Sequence, residues 1–225
     1  MARYPGGGAP RLSGARGEPR RGGRERCDLA APLGGAARAG LRRAGEGLSG
    51  ASGHGHAGPS LGDLMHPQEF DGWPPGLLDC AAHELWAQLD GPAIVHLPGK
   101  REPALFVSVL LHGNETGGWE ALRLLQRRFE GRSLPRSMIV LIGNVEAARF
   151  RLRRLDHQPD YNRIWRDAEG PEAALAQEIV ARVGVHPLFC SVDVHNNTGV
   201  NPHYACVTAE DATSLALAAR FARPV

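Results

Sequence analysis

Short apolar runs alternate with amphipathic segments along most of the chain after residue 76. The clearest run, ALFVSVLLHGNE at 104–115, is continuous and ends abruptly in glycine and polar residues. Continuous apolar runs of this kind are typical of buried strands in an α/β sheet. By the same criterion we predict strands at 93–97, 105–111, 137–142, 189–194 and 204–208. Apolar residues at helical spacing predict helices at 77–89, 116–129, 171–183 and 213–222, with a short basic helix or turn at 146–154.

The alternation of strands and helices predicts the class of fold. Parallel strands need crossover connections, which are usually helical, and such helices cover both faces of the sheet. We therefore expect an α/β protein with three layers, α/β/α, around a largely parallel sheet. The helix at 116–129 should bury the side formed by Trp119, Leu122, Leu124, Leu125 and Phe129. The pattern stops at Val225 without a completed sheet edge, so we expect the domain to be C-terminally incomplete.

Two of the predicted strands end in residues that can bind metals. His112 and Glu115 follow the strand at 105–111, while Asp193 and His195 lie at the end of the strand at 189–194. Functional groups collect where strands end in such sheets. Two histidines and one glutamate match the ligand set of a catalytic zinc site, and Asp193 could orient a ligand histidine. The alternatives are a core histidine at 112 and, at 115, an acid that favours the start of a helix.

The segment 144–163 is strongly basic. Five arginines lie within residues 149–163, and the segment ends in the pair Asn162-Arg163. Arginine can bind a carboxylate through two parallel hydrogen bonds. A metal centre beside these arginines therefore indicates an anionic substrate whose carbonyl group meets the metal. The alternative is a solvated basic face.

Residues 1–64 form a leader of different composition. They hold seventeen of the chain's 29 glycines, with ten arginines and five acids, which is a formal charge of +5. The rest of the chain has sixteen Lys+Arg and nineteen acids, a charge of −3. The leader cannot bury enough apolar surface to offset the entropy of ordering, so we expect it to be disordered. It is interpreted as a non-functional tail before a domain at 65–225 that starts at Met65; the alternatives are an arginine-rich nucleic-acid arm and a transit peptide.

The cysteine pattern and the hydropathy indicate a cellular location. Cys27, Cys80, Cys190 and Cys206 show no CxxC spacing. In a chain without a secretory signal they are expected to be reduced thiols of a cytoplasmic protein. No apolar stretch approaches the roughly 18 residues of a membrane helix, so no membrane partner is expected.

Three motifs occur in a fixed order along the chain. LLHGNET at 110–116 comes first, then a series formed by Asn144, Arg153, Asp156 and the DYNR sequence at 160–163, then DVHNNTG at 193–199. Together they resemble the succinylglutamate desuccinylase/aspartoacylase family, a branch of the zinc carboxypeptidase-like hydrolases. The resemblance spans about 77–208 and implies an α/β/α fold around a mixed sheet.

The resemblance also implies roles for individual residues. It implies three zinc ligands, which are His112, Glu115 and His195. It further implies that Asn162 and Arg163 hold the carboxylate of the substrate. Arg153 would help to polarise the scissile carbonyl, and Arg154 is the alternative for this role.

The chain departs from the family pattern at two places. Before the DYNR sequence, His157-Gln158-Pro159 stand where one residue is usual, which is why Arg154 is kept as the alternative to Arg153. The general base of the family is a glutamate several tens of residues beyond the last zinc ligand. Only thirty residues follow His195, and Glu210 and Asp211 match no motif. We therefore expect the base to be missing from this chain.

These observations favour a zinc-dependent hydrolase that cleaves the amide bond of an N-acyl amino acid or a similar small carboxylate. One alternative is a catalytically inert metal-binding fragment without the general base. Another is a zinc carboxypeptidase that acts on peptide C-termini. The expected partner is a small anionic substrate, with no nucleic acid and no membrane; the acyl group, the amino acid and the oligomeric state stay open.

Overall fold

The structure, a computed structural model, describes residues 66–197, 199, 201–208 and 211–221. The leader at 1–64 and the start at Met65 lie outside these residues, so the predictions made for them stay predictions. The strands are β1 (Gln68–Asp71), β2 (Ala93–Leu97), β3 (Ala104–Val109), β4 (Met138–Ile142) and β5 (Leu188–Asp193). The α-helices are α1 (Gly117–Arg128), α2 (Val145–Arg149), α3 (Pro171–Gly184) and α4 (Ala212–Phe221). Short 3-10 helices occur at Leu77–Asp79, Ala82–Ala87 and Tyr161–Arg163.

The five strands form one mixed sheet in the order β1-β2-β4-β3-β5. Three neighbouring pairs are parallel, and only the pair of β2 and β4 is antiparallel. This confirms the predicted α/β class with a mixed, mostly parallel sheet. Because β3, β4 and β5 run in the same direction, their carboxyl ends lie at one edge of the sheet. The segments that follow these three strands therefore meet at that edge.

Two apolar clusters cover the two faces of the sheet. Alternate residues of a strand point to opposite faces, so Val140 joins one cluster and Ile139 joins the other. On the first face, Trp119 of α1 packs with the apolar residues of 77–89. On the second face, Leu175 and Ile179 of α3 pack against the sheet. The helices thus lie on both sides, in the three-layer arrangement expected from the sequence.

The segment 77–89 is not the continuous helix predicted from its apolar spacing. Its backbone is extended at Cys80 and Ala81, which separates two 3-10 helices. The amide of Ala81 donates to the Glu84 carboxylate at 2.8 Å and so starts the second of them. The apolar residues Leu77 and Leu85 are nevertheless fully buried. Spacing alone identified the buried residues but not the break between them.

Three further details differ from the sequence prediction. Leu124 is 63% exposed, because it lies roughly 200° around the helix from the buried Leu122. No strand forms at 201–208, where the described side chains are exposed and the backbone pairs with no strand of the sheet. Strand β1 was not predicted, since it is only four residues long and its side chains are half-buried or exposed.

None of the described helices has the length and apolar character needed to cross a bilayer.

Candidate metal centre

His112 and Glu115 lie in the tight turn that leads from β3 to α1. His112 is 1% exposed and Glu115 is also buried. The Glu115 amide donates to the His112 carbonyl at 3.0 Å and closes the turn. A Cβ atom at Gly113 would lie 2.1 Å from the backbone nitrogen of Ala148, so only glycine permits this contact with α2. The sequence therefore folds here into a turn that directs both polar side chains to one point.

His195 approaches the same point from the end of β5. The amide of Val194 donates to the carbonyl of Ser108 at 3.0 Å and extends the pairing of β5 with β3. Nδ1 of His195 lies 2.7 Å from Oε2 of Glu115, and Nδ1 of His112 lies 2.8 Å from Oε1 of the same carboxylate. One ligand atom from each of these three residues lies within 4.8 Å of the others. This group could hold a metal ion.

The second ring nitrogen of each histidine contacts a different carboxylate. Nε2 of His112 lies 2.8 Å from Oδ1 of Asp160, and Nε2 of His195 contacts Oδ2 of Asp193. Asp193 is fixed in turn by the Ser108 hydroxyl, which donates to its Oδ1 at 2.7 Å. A carboxylate that accepts the Nε2 hydrogen leaves Nδ1 as the nitrogen that can bind a cation once its own hydrogen is lost. The two Nδ1 atoms and the Glu115 carboxylate form a donor set that fits zinc.

Three groups at the centre have strongly displaced pKa values. Burial raises the pKa of Glu115, but hydrogen bonds with His112 and His195 outweigh it and lower this pKa to about 2. Burial also raises the pKa of Asp160, but hydrogen bonds, the largest of them with His112, outweigh it and lower this pKa to about 2. Burial lowers the pKa of His195, whereas its bonds with Asp193 and Glu115 raise it to about 10. Glu115 and Asp160 are therefore anionic at neutral pH, as a cation site requires.

Arg153 lies at the centre, whereas Arg154 does not. The Arg153 guanidinium donates to Glu115 at 3.0 Å and to Asp160 at 3.2 Å, and its side chain remains 51% exposed. Arg154 instead donates to the backbone carbonyl of Gln158 at 2.7 Å. Of the two arginines considered from the sequence, only Arg153 contacts a candidate ligand.

Asn162 and Arg163 follow Asp160 in a 3-10 helix. The backbone amide of Asn162 donates to Oδ1 of Asp160 at 2.8 Å. The side-chain oxygen of Asn162 is buried without a hydrogen-bond partner. Arg163 is exposed and donates to the Asn162 carbonyl at 3.2 Å. In the described part of the chain no carboxylate pairs with Arg163. Its guanidinium is therefore available to an anionic ligand.

Two contributors to this centre were given no role from the sequence. Asp160 belongs to a recognised motif, but its contact with His112 spans 48 residues and needs the folded loop. The Asn196 amide donates to Glu115 at 3.0 Å, and its side-chain oxygen accepts from the Gly117 amide at 3.0 Å. The sequence offered one signal for Asn196, which is that it is a polar residue directly after the candidate ligand His195. Asn196 joins the end of β5 to the start of α1.

The fold and the centre define an α/β protein with a two-histidine, one-glutamate group at the carboxyl edge of its sheet. Residues 101–224, more than half of the chain, match the model of the succinylglutamate desuccinylase/aspartoacylase catalytic domain. The chain belongs to this family, which confirms the resemblance, and membership indicates a hydrolase of the deacylase type. No curated protein and no solved structure matches the chain.

Proposed function

We propose that the protein is a zinc-dependent hydrolase of the amide bond in an N-acyl amino acid or a similar small carboxylate. The observation that carries this proposal is the convergence of His112, Glu115 and His195 beside an arginine that contacts the same glutamate. Family membership supports the hydrolytic class.

The three converging residues would hold the zinc ion. When bound, zinc polarises a carbonyl oxygen as a Lewis acid and lowers the pKa of water to about 7. Arg153 would donate hydrogen bonds to the oxygen that becomes negative as the amide is attacked. Preorganised donors of this kind stabilise developing charge without reorganisation. The half-exposed guanidinium of Arg153 can contact Glu115 and substrate from the same position.

Arg163 and Asn162 would hold the free carboxylate of the substrate. The exposed guanidinium of Arg163 presents a planar pair of donors that matches a carboxylate. The amide of the half-buried Asn162 side chain adds a further donor. A peptide C-terminus carries the same carboxylate, so a carboxypeptidase activity follows from the same contacts.

A second candidate function, metal binding without catalysis, is favoured by the state of the carboxylates. Within the described residues, each carboxylate at the centre already has a histidine partner. These carboxylates are Glu115, Asp160 and Asp193. None is free to accept a proton from water as a general base does. This candidate predicts zinc binding and no hydrolysis.

We also place the protein in the cytoplasm, with a small anionic substrate as partner and without nucleic-acid or membrane partners. The free thiols of Cys80, Cys190 and Cys206 support a reducing compartment. The net charge of −3 outside the leader does not favour binding to nucleic acid.

Zinc content and hydrolysis of the full chain test these proposals together. We expect about one zinc per chain, and its loss in the double variant His112→Ala/His195→Ala. N-acetyl and N-succinyl amino acids should be hydrolysed by the zinc-loaded chain and not after chelation. Zinc binding without hydrolysis would establish the second candidate. Equal zinc content in the wild type and the double variant would refute both.

A further inference from the structure

We propose that Gln158 is a positioning residue that fixes Arg153 and Asp160 against the strand end bearing His112. Gln158 belongs to the His157-Gln158-Pro159 segment, and the proposed function assigns no role to this segment. The inference rests on the proposed zinc site, because it concerns the groups that surround it.

Gln158 is a buried polar side chain in a loop that is otherwise largely exposed. It is 6% exposed, while its neighbours His157 and Pro159 are exposed. Its Oε1 accepts from Nδ2 of Asn144 at 2.8 Å and from the Leu155 amide at 3.1 Å. Buried polar groups that are satisfied in this way rigidify their surroundings. The side chain thus fixes the loop from inside.

Asn144 connects this loop to the strand that leads to His112. Its amide donates to the Leu110 carbonyl at 2.7 Å, and its side-chain oxygen accepts from the Ala147 amide at 3.0 Å. Asn144 is 1% exposed. Asn144 is therefore fixed both at the end of β3 and at the start of α2, and from this position its side chain donates to Gln158. Leu110 lies two residues before His112, so the path from Gln158 to the metal centre is short.

Arg153 and Asp160 lie on either side of Gln158 in the same loop. Asp160 holds Nε2 of His112, and the Arg153 guanidinium joins Asp160 to Glu115. Gln158 contacts neither His112 nor Glu115, so it acts only through these neighbours. Loss of its hydrogen bonds should release the loop, weaken the orientation of His112 and lower the affinity for zinc.

Zinc affinity of the full chain is the decisive measurement. Gln158→Met keeps the length of the side chain and removes its hydrogen bonds. We expect zinc to bind about tenfold more weakly, at the low end of the effect of losing an outer ligand partner. Gln126→Met is the matched control, because Gln126 accepts from the indole of Trp73 at 3.2 Å on α1, away from this loop. The control should change the affinity by less than about twofold.

Two further variants distinguish positioning from general stability. Gln158→Glu with Glu146→Gln exchanges two groups that lie 3.4 Å apart. The exchange keeps the acceptor at 158 and the net charge, so the affinity should return to within about threefold of wild type. In an Asp160→Asn background, Gln158→Met should cause little additional loss, because both changes act through the same contact.

Defined results would overturn the inference. The first is a Gln158→Met variant that binds zinc as tightly as Gln126→Met. The second is a Gln158→Glu/Glu146→Gln variant whose zinc affinity does not recover. The third is a loss of zinc affinity from Gln158→Met that is as large in the Asp160→Asn background as in the wild type. If the wild type binds no zinc, the proposed function fails, and hydrogen exchange of the metal-free protein then decides about Gln158. Gln158→Met should speed exchange of the Leu155 amide about tenfold or more. Unchanged exchange at Leu155 would refute the positioning role.

Discussion

Each histidine of the metal centre is oriented by a carboxylate on the far side of its ring. Asp160 reaches His112 from a distant loop, whereas Asp193 reaches His195 from two residues earlier in the same strand segment. These contacts fix both rings with their Nδ1 atoms directed at Glu115. The protein itself therefore holds the three candidate ligands in place.

At the same scale, Arg163→Lys tests the proposed carboxylate contact. Lysine cannot reproduce the planar fork of arginine, and a hydrogen bond to a charged group contributes about 1.5–3 kcal/mol. We expect kcat/KM for an N-acyl amino acid to fall roughly 10–150-fold with unchanged zinc content.

The controls for this variant are a second arginine and a second substrate. Arg166 is exposed on the same loop, and Arg166→Lys should leave kcat/KM within about twofold. An amidated substrate should be poor with wild type and little affected by Arg163→Lys. An equal loss with both substrates would assign Arg163 a structural role.

The sequence predicted the three candidate ligands and Asp193 as a residue that orients one of the histidines, but not the residues that orient His112 and anchor the loop around it. His112, Glu115 and His195 stand directly after apolar runs, so their place at strand ends follows from local pattern. The partner of His112 depends on how residues 150–160 fold back over the sheet. No local pattern specifies such a contact, and neither Asp160 nor Gln158 received a role from sequence alone.

At the scale of elements, apolar runs decide which strand predictions succeeded. The strands β2, β3, β4 and β5 were predicted within one or two residues, because each contains such a run. The run is mostly buried in β2, β3 and β4, and alternates between half-buried and exposed residues along most of β5. β1 lies at one end of the strand order, where alternating exposure leaves no such run. The strand predicted at 204–208 does not form, because the apolar residues there are exposed and pair with no neighbouring strand.

The contact between the β3–α1 turn and α2 gives a prediction for Gly113→Ala. The added Cβ would meet backbone atoms of Ala147 and Ala148 at 2.3 and 2.1 Å, which cannot move without shifting α2. We expect the free energy of unfolding to fall by about 3 kcal/mol, the upper end for overpacking. Urea unfolding followed by circular dichroism measures this change.

Gly184→Ala is the matched glycine control for this prediction. It lies at the end of α3, where an added Cβ meets nothing within 4 Å. The free energy of unfolding should rise by about 0.5–1 kcal/mol, because alanine restricts the unfolded chain. A Gly113→Ala variant as stable as wild type would show that α2 does not pack against the turn in solution.

At the scale of the whole molecule, charge divides the chain into two parts. The leader carries +5 and the rest −3, so the basic excess of the whole chain lies in the leader. We predict that a chain starting at Met65 unfolds at the same temperature as the full chain, because residues 1–64 lack an apolar pattern. Differential scanning calorimetry measures the unfolding temperature.

Heparin binding supplies the complementary test of the leader. Neither chain should bind heparin at physiological salt, since glycine and alanine dilute the arginines. A loss of several degrees on truncation, or heparin binding by the full chain alone, would give the leader a role in stability or in nucleic-acid binding.

The pairing of β5 with β3 has a consequence for biosynthesis. β4 covers one edge of β3, and β5 covers the other, but Glu115 and His195 are 80 residues apart in the chain. At 5–20 residues per second, roughly 4–16 s pass on the ribosome between the synthesis of these two ligands. During that interval the nascent chain carries His112 and Glu115 beside an uncovered strand edge. The three candidate ligands therefore come together late, at a time that synthesis itself sets.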